Sequence, residues 1–295
     1  MRLILPQVEE RVVMANMYSI GSREYAVLNK VLAQPDSLIT FDWGAEGLAA
    51  LGPTVRAIVI VDVLRFTTCV SVACSRGAVV LPYEWNDASV DDYATRHRAL
   101  VAGRRRESPS AWSLSPTDLL AIPTGTRLVL PSPNGSALSF RAAEFGATVI
   151  AGCLRNATAV AGVLAARAQA GERIAVIAAG ERWECDSRGT ENAPLRPALE
   201  DLLGAGAIIT RTMALGVQRD RVSPEALASS AAFCDAEMEL AARLSRCASG
   251  QELIERGWVD DVVTAGQLDA DDCVPVLREH AFCGFSEVSA PLVAQ

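Results

Sequence analysis

Short apolar blocks, each followed at once by polar residues and then by a helical stretch, recur along this chain. Ile58–Val61 is β-branched and apolar without alternation, which predicts a buried strand. Asp62 follows with no spacer, then Arg65, then Thr67 and Thr68 at the opening of a helix over Cys69–Arg76. Gly77-Ala78 and a second strand, Val79–Leu81, close the unit. The arrangement repeats with strand Leu128–Leu130, turn Pro131–Ser136, helix Ala137–Phe145, Gly146-Ala147 and strand Thr148–Ile150. Gly77 and Gly146 are placed to end their helices in a left-handed cap. A looser third unit runs from strand Ile174–Ile177 through a polar stretch, Gly180–Arg196, into a helix opening at Ala198–Leu203. Strand–turn–helix–strand units with short links predict right-handed βαβ crossovers and a largely parallel sheet. The echo between units has two readings, common ancestry or the βαβ constraint itself.

Beyond these units the pattern is helical. Ser223–Ser249 predicts one helix with Pro224 at its start, and Gln251–Glu255 a second ending at Gly257. Residues 1–35 lack strong periodicity and carry two internal methionines, Met14 and Met17; an N-terminal extension, in part disordered, or an upstream start codon would account for them. Phe41-Asp42-Trp43-Gly44 reads as the first ordered piece. No low-complexity linker divides residues 36–295, so a single domain is expected there, with two lobes left open.

Composition removes several function classes. Half of the 295 residues are hydrophobic, enough for a large core, and mean hydropathy is +0.21. No apolar run reaches the ~18 residues of a membrane span. A net charge of −8 argues against a reader of nucleic-acid phosphates. Eight cysteines occur without a CxxC pair, which disfavours a zinc knuckle or thioredoxin-like motif. Glu9, Glu10 and Arg11 interrupt any signal-peptide core after Met1–Leu5; the expectation is a cytoplasmic protein with reduced thiols. His97 falls in the charged run Asp91–Arg106, and His280 stands far from every motif. A nucleophile elbow, a P-loop and a GxGxxG turn are all missing in any suitable context.

Chemistry concentrates at strand ends, where α/β proteins bind phosphate and metal. Asp62 reads as a helix N-cap, a Mg²⁺ ligand or a phosphoryl-accepting nucleophile. Arg65 supplies a planar fork matched to phosphate or sulfonate. Thr67 and Thr68 offer hydroxyls that bind an anion or cap the helix. Asn134-Gly135-Ser136 allows a positive φ and amides that face an anion; a plain turn with an N-cap is the other reading. Glu200 and Asp201 either offset a helix dipole or hold a hard cation. Glu181, in Glu181-Arg182-Trp183, occupies the corresponding strand end, and Asp260-Asp261 is a further acidic pair.

In this order the motifs resemble the 2-phosphosulfolactate phosphatase family (ComB-like proteins). The similar pieces are Val61-Asp62-Val-Leu-Arg65-Phe-Thr67-Thr68, Asn134-Gly135-Ser136, Asn156-Ala157-Thr158, Ala179-Gly180, Leu199-Glu200-Asp201 with Ala205-Gly206-Ala207, Gly257–Asp261 and Val274-Pro275-Val276. The resemblance implies a three-layer α/β/α fold and a Mg²⁺-dependent hydrolase that takes 2-phospho-3-sulfolactate to sulfolactate and phosphate, a step toward coenzyme M. On it, Asp62 and Arg65 are catalytic. Arg65, Thr67, Thr68, Asn134, Gly135, Ser136 and Glu181 bind phosphate, and Asp62, Glu200 and Asp201 hold the metal. The partner is a small anionic phosphomonoester, with no nucleic acid or membrane, and homo-oligomerisation stays open. Three departures bear on the substrate. Arg104 stands where the family has an acid, Leu114-Ser115-Pro116 is a shortened loop, and Pro131-Ser132-Pro133 replaces a Thr-rich approach. A phosphatase for another phosphorylated acid, or a non-catalytic anion binder, is the alternative. A haloacid-dehalogenase-type phosphatase expects a second Asp where Leu64 stands.

Overall fold

The apolar blocks form strands because both of their faces are buried. The computed structural model describes residues 31–84, 89–103, 112–183 and 193–284. Residues 1–30 of the expected extension and Arg104–Arg106 therefore lie outside the described residues. The chain divides after Pro35, and the unit beginning at Asp36 is the one described below.

Its first half runs β1 (Ile39–Trp43), α1 (Gly44–Leu51), β2 (Ala57–Val61), α2 (Phe66–Ser75), β3 (Val79–Tyr83), α3 (Ser89–His97) and β4 (Leu100–Val101). Then come α4 (Pro116–Leu119), β5 (Arg127–Pro131), α5 (Gly135–Ala143), β6 (Thr148–Gly152), α6 (Ala157–Gln169), β7 (Ile174–Ala178), β8 (Glu181–Arg182) and β9 (Leu195–Arg196). Helices α7 (Leu199–Ala214), α8 (Pro224–Ala236), α9 (Leu240–Arg246), α10 (Ala248–Glu255) and α11 (Val259–Ala265) precede the hairpin β10 (Pro275–Arg278) and β11 (Ala281–Gly284).

Among the described residues, nine strands make one sheet in the order β1-β7-β2-β6-β10-β11-β3-β5-β4. Alternate residues of β2 face two different cores, as a strand buried on both sides requires. Ala57, Val59 and Val61 pack against helices α6 to α8, with Leu164, Ile208 and Phe233. Ile58 and Ile60 pack against α1, α2 and α5, with Leu48, Phe66 and Leu138. The result is the expected α/β/α architecture. Gly77 and Gly146 adopt the left-handed cap, with φ of +79° and +70°. No described helix is long and apolar enough to cross a membrane.

The structure adds the strand order and corrects one expectation. Consecutive strands of a unit cross over without being neighbours. Strand β2 pairs in parallel with β6 and β7, and β3 with β5. The opening strand of each unit thus lies beside the closing strand of the other. The antiparallel hairpin β10–β11 fills the space between, meeting β6 through Val276 and β3 through Phe282. The single helix expected over Ser223–Ser249 is broken. A 3₁₀ turn at Glu237–Glu239 separates α8 from α9, and Cys247 is extended, at φ −69° and ψ 161°, before α10. Bending brings Leu240, Leu244 and Leu253 onto the same core as Phe233, which a straight rod could not do. Gly250 permits the tight return: a Cβ there would stand 1.8 Å from the Leu244 carbonyl oxygen.

Candidate active site

Three strand ends meet at one cleft of about 780 Å³. Asp62 follows β2, Asn134 follows β5 and Glu181 lies just past β7; all three line the cleft together with Arg65. Asp62 is only 6% exposed, and its carboxylate is fixed by two backbone amides. Phe66 N–H donates to Oδ1 at 3.0 Å and Gly135 N–H to Oδ2 at 2.9 Å. Only glycine fits at 135: a Cβ would stand 2.3 Å from the Phe66 ring and 2.7 Å from Asp62 Oδ2. The positive φ that Asn134-Gly135 would allow is not used: Asn134 has φ −100° and Gly135 opens α5, so glycine is needed here as the seat of the acid opposite.

The hydroxyls predicted beside Asp62 are engaged with the backbone. Thr67 Oγ1 donates to the Asp62 carbonyl at 2.8 Å and accepts from Asp62 N–H at 2.9 Å. Thr68 Oγ1 donates to Val63 O at 2.7 Å, and Ser136 Oγ to Leu130 O at 2.9 Å. All three residues are fully buried. They stitch the turns that carry Asp62 and Gly135, the helix-opening role open to Ser and Thr.

Arg65 reaches the cleft with 15% of its side chain exposed and is anchored from behind. Its Nη1 donates to Asp261 Oδ2 at 3.0 Å, and its guanidinium lies 4.5 Å from the Trp258 ring centroid. Asp261 is fully buried and also accepts from Ser115 Oγ at 2.5 Å. Of the Asp260-Asp261 pair, Asp261 thus positions Arg65 while Asp260 faces solvent. The peptide between Leu64 and Arg65 is cis.

The acids at the opening of α7 divide their work. Asp201 accepts from Val63 N–H at 2.7 Å and from Gly180 N–H at 2.9 Å, tying the end of β2 to the end of β7. Glu200 is 2% exposed, and its Oε2 has no hydrogen-bond partner among the described residues. Glu181 Oε2 accepts from Asn134 Nδ2 at 3.0 Å. Burial, opposed by the two amides and reinforced by the Glu200 charge, raises Asp62 to about 6. Burial, with the charges of Asp62 and Glu200, lifts Glu181 to about 8. Asp201 is raised by the same causes.

This excess of buried negative charge tests the fit of a cation. Among the described residues, no three His, Cys, Asp or Glu side chains converge as a ready-made cage. A Glu200 oxygen with no partner among the described residues, and an Asp62 carboxylate raised by burial and then by the Glu200 charge, nevertheless suit Mg²⁺, although Glu200 lies behind the residues that line the cleft. That ion binds through one or two carboxylates and fills its remaining positions with water and substrate oxygens. Asp201, with both oxygens on amides, is the less available of the predicted ligands.

The acids also link stability to pH. Glu181 rises from 4.5 to about 8, so its contribution is fully present below about 4.5 and is lost as pH climbs toward 8. Without divalent metal, the melting temperature should therefore fall between pH 6 and 8. The loss is on the order of 1–3 kcal/mol after allowance for solvent screening. Glu181→Gln should flatten that limb in thermal melts; an unchanged slope would contradict the assignment.

The sequence motifs do not contain the cleft's other arginines, Arg196 and Arg256, or Ser249. Arg196 lies in a two-residue strand and Arg256 at the end of a short helix. Neither has a local signal beyond its charge.

The profile of the 2-phosphosulpholactate phosphatase family matches residues 49–280. A protein of Parasynechococcus marenigrum (strain WH8102), named probable 2-phosphosulfolactate phosphatase, is 29% identical over 212 residues, covering 70% of this chain and 81% of its own length. One of the same name from Gloeobacter violaceus (strain ATCC 29082 / PCC 7421) is 28% identical over 225 residues, covering 74% and 86%. Matched over most of its length, this chain belongs to the 2-phosphosulpholactate phosphatase family, a family of phosphoric monoester hydrolases.

Proposed function

We propose that this protein hydrolyses the phosphate ester of a small, strongly acidic hydroxy acid, 2-phospho-3-sulfolactate, with Mg²⁺ as its cofactor. The observation that carries the reading is Asp62, held by two amides in a cleft that also presents Arg65, Arg182, Arg196 and Arg256. Four arginines against three acids (Asp62, Glu181 and Glu252), with Glu181 protonated near neutral pH, suit a substrate with several negative charges.

Asp62 and Glu200 are the residues that would hold the metal. When bound, Mg²⁺ would neutralise a phosphate oxygen and polarise the ester. Arg65, kept in place by Asp261 and Trp258, meets the charge that develops on the phosphoryl oxygens. A water oxygen attacks phosphorus as the bond from phosphorus to the alcohol oxygen breaks. Glu181, steadied by Asn134, carries a proton at neutral pH, delivers it to the departing oxygen, and is reprotonated by the proton that the attacking water releases. Water is the preferred attacker because both Asp62 oxygens already accept backbone amides and the same carboxylate would hold the metal. A product of this kind would serve a pathway such as that to coenzyme M.

The test is release of inorganic phosphate from 2-phospho-3-sulfolactate, 2-phospholactate and a generic aryl phosphate, with Mg²⁺ and after chelation. The sulfonated ester should be the best substrate, and chelation should abolish at least about 99% of turnover. Equal rates for all three esters would defeat the substrate assignment, and full activity in chelator would defeat the metal.

Arg65→Ala is expected to lower kcat/KM about a hundredfold and to weaken inhibition by inorganic phosphate at least tenfold. Unaltered phosphate inhibition would remove Arg65 from phosphate binding.

A further inference from the structure

The cleft contains a second set of anion donors, apart from Arg65. Strands β8 and β9 pair antiparallel with Glu181 directly opposite Arg196. Side chains opposite one another in a ladder leave the same face, and both of these line the cleft. The ribbon therefore sets a proton-bearing acid and a guanidinium side by side on the wall of the cleft.

Arg196 is held ready. One of its terminal nitrogens donates to Ser249 Oγ at 3.2 Å, and its guanidinium lies 5.9 Å from the Trp183 ring centroid. Ser249 is 5% exposed and also lines the cleft. Because its oxygen accepts from Arg196, its own proton is directed elsewhere. Arg65 is neutralised by Asp261, and Arg256 by Glu252. No carboxylate of the described residues forms an ion pair with Arg196.

We propose that Arg196 and Ser249 form a subsite for the substrate's sulfonate, one of its two acidic groups that are not transferred, and so select a sulfonated ester. The fork of the guanidinium and the serine hydroxyl together offer three donors, matching the three oxygens of a sulfonate; a carboxylate would leave one donor unused. Ser249 opens α10, and β9 leads into α7, so the subsite is set by two helices of the core rather than by a free side chain. The assignment rests on the hydrolase reading above.

The test compares 2-phospho-3-sulfolactate with 2-phospholactate, which differs only by lacking the sulfonate. In Arg196→Gln the ratio of kcat/KM for the two esters should fall at least tenfold, mainly through KM for the sulfonated one. Ser249→Ala should shift the ratio the same way by a smaller factor. In calorimetry, Arg196→Gln should weaken binding of 3-sulfolactate at least tenfold, and that of inorganic phosphate less than threefold. An unchanged ratio, or an equal loss on both esters, would overturn the subsite while hydrolysis stood. A wild-type protein that bound 3-sulfolactate through Arg196 but hydrolysed no ester would instead defeat the hydrolase reading and leave the subsite in place. Failure of wild-type protein to bind 3-sulfolactate would overturn the subsite.

Discussion

Replacing Asp62 by Asn should lower kcat by at least about a thousandfold. The change is nearly isosteric, so the loss reports charge and not shape. Its effect on stability should be small. Asn retains one oxygen for either the Phe66 or the Gly135 amide and sets an NH₂ group against the other, a cost of about 1–2 kcal/mol. It also removes a buried charge that Glu200 repels, which offsets part of that cost. Denaturant unfolding should thus stay within about 1 kcal/mol of wild type. A kcat within tenfold of wild type would exclude Asp62 from the reaction. Acid quench during turnover of labelled ester adds a separate measurement: water attack leaves no phosphoryl group on the protein, whereas label recovered on Asp62 would make it the nucleophile.

Asp201→Ala should be the most destabilising change at this site. Val63 and Gly180 would each be left with a buried N–H lacking an acceptor. At about 1–3 kcal/mol per group the total is about 2–6 kcal/mol, less whatever relief comes from its repulsion with Asp62 and Glu200. Against a total stability on the order of 5–15 kcal/mol this is a large fraction. Activity should fall as well, since Val63 and Gly180 adjoin Asp62 and Glu181, and Asp201 sets the distance between the two. A denaturation midpoint equal to wild type would show that the two strand ends need no tie.

The strands were legible because each is an apolar block with a polar residue at its end, and Val61-Asp62 marks the sharpest such boundary. Asn134-Gly135 was legible as a turn signal, but the reason for its glycine was not, since Gly135 opens a helix and the approach of Asp62 comes from 73 positions away. The strand order was hidden for a similar reason. An Ile-Val-Ile block records that a strand is buried, and nothing in it records which neighbour does the burying. Glu237-Met238-Glu239 contains no Gly or Pro, so the bend after α8 left no mark; burial of Leu240 and Leu244 drives it from outside the segment. The Ser/Thr positions beside Asp62 were legible as polar and near a strand end. Whether a hydroxyl faces a ligand or its own backbone is a matter of rotamer, and the two uses favour the same residue types.

The position of the β10–β11 hairpin has a consequence for how the chain acquires its structure during translation. Both parallel groups of strands, β1-β7-β2-β6 and β3-β5-β4, are built from residues synthesised before Pro275. Until the hairpin emerges, β6 and β3 each present an unpaired edge, the kind of surface that recruits other chains. Most of the pairings are also distant in sequence, which slows folding. The last-made pair of described strands therefore acts as a keystone, and a nascent chain stalled before it would be a preferred client for chaperones.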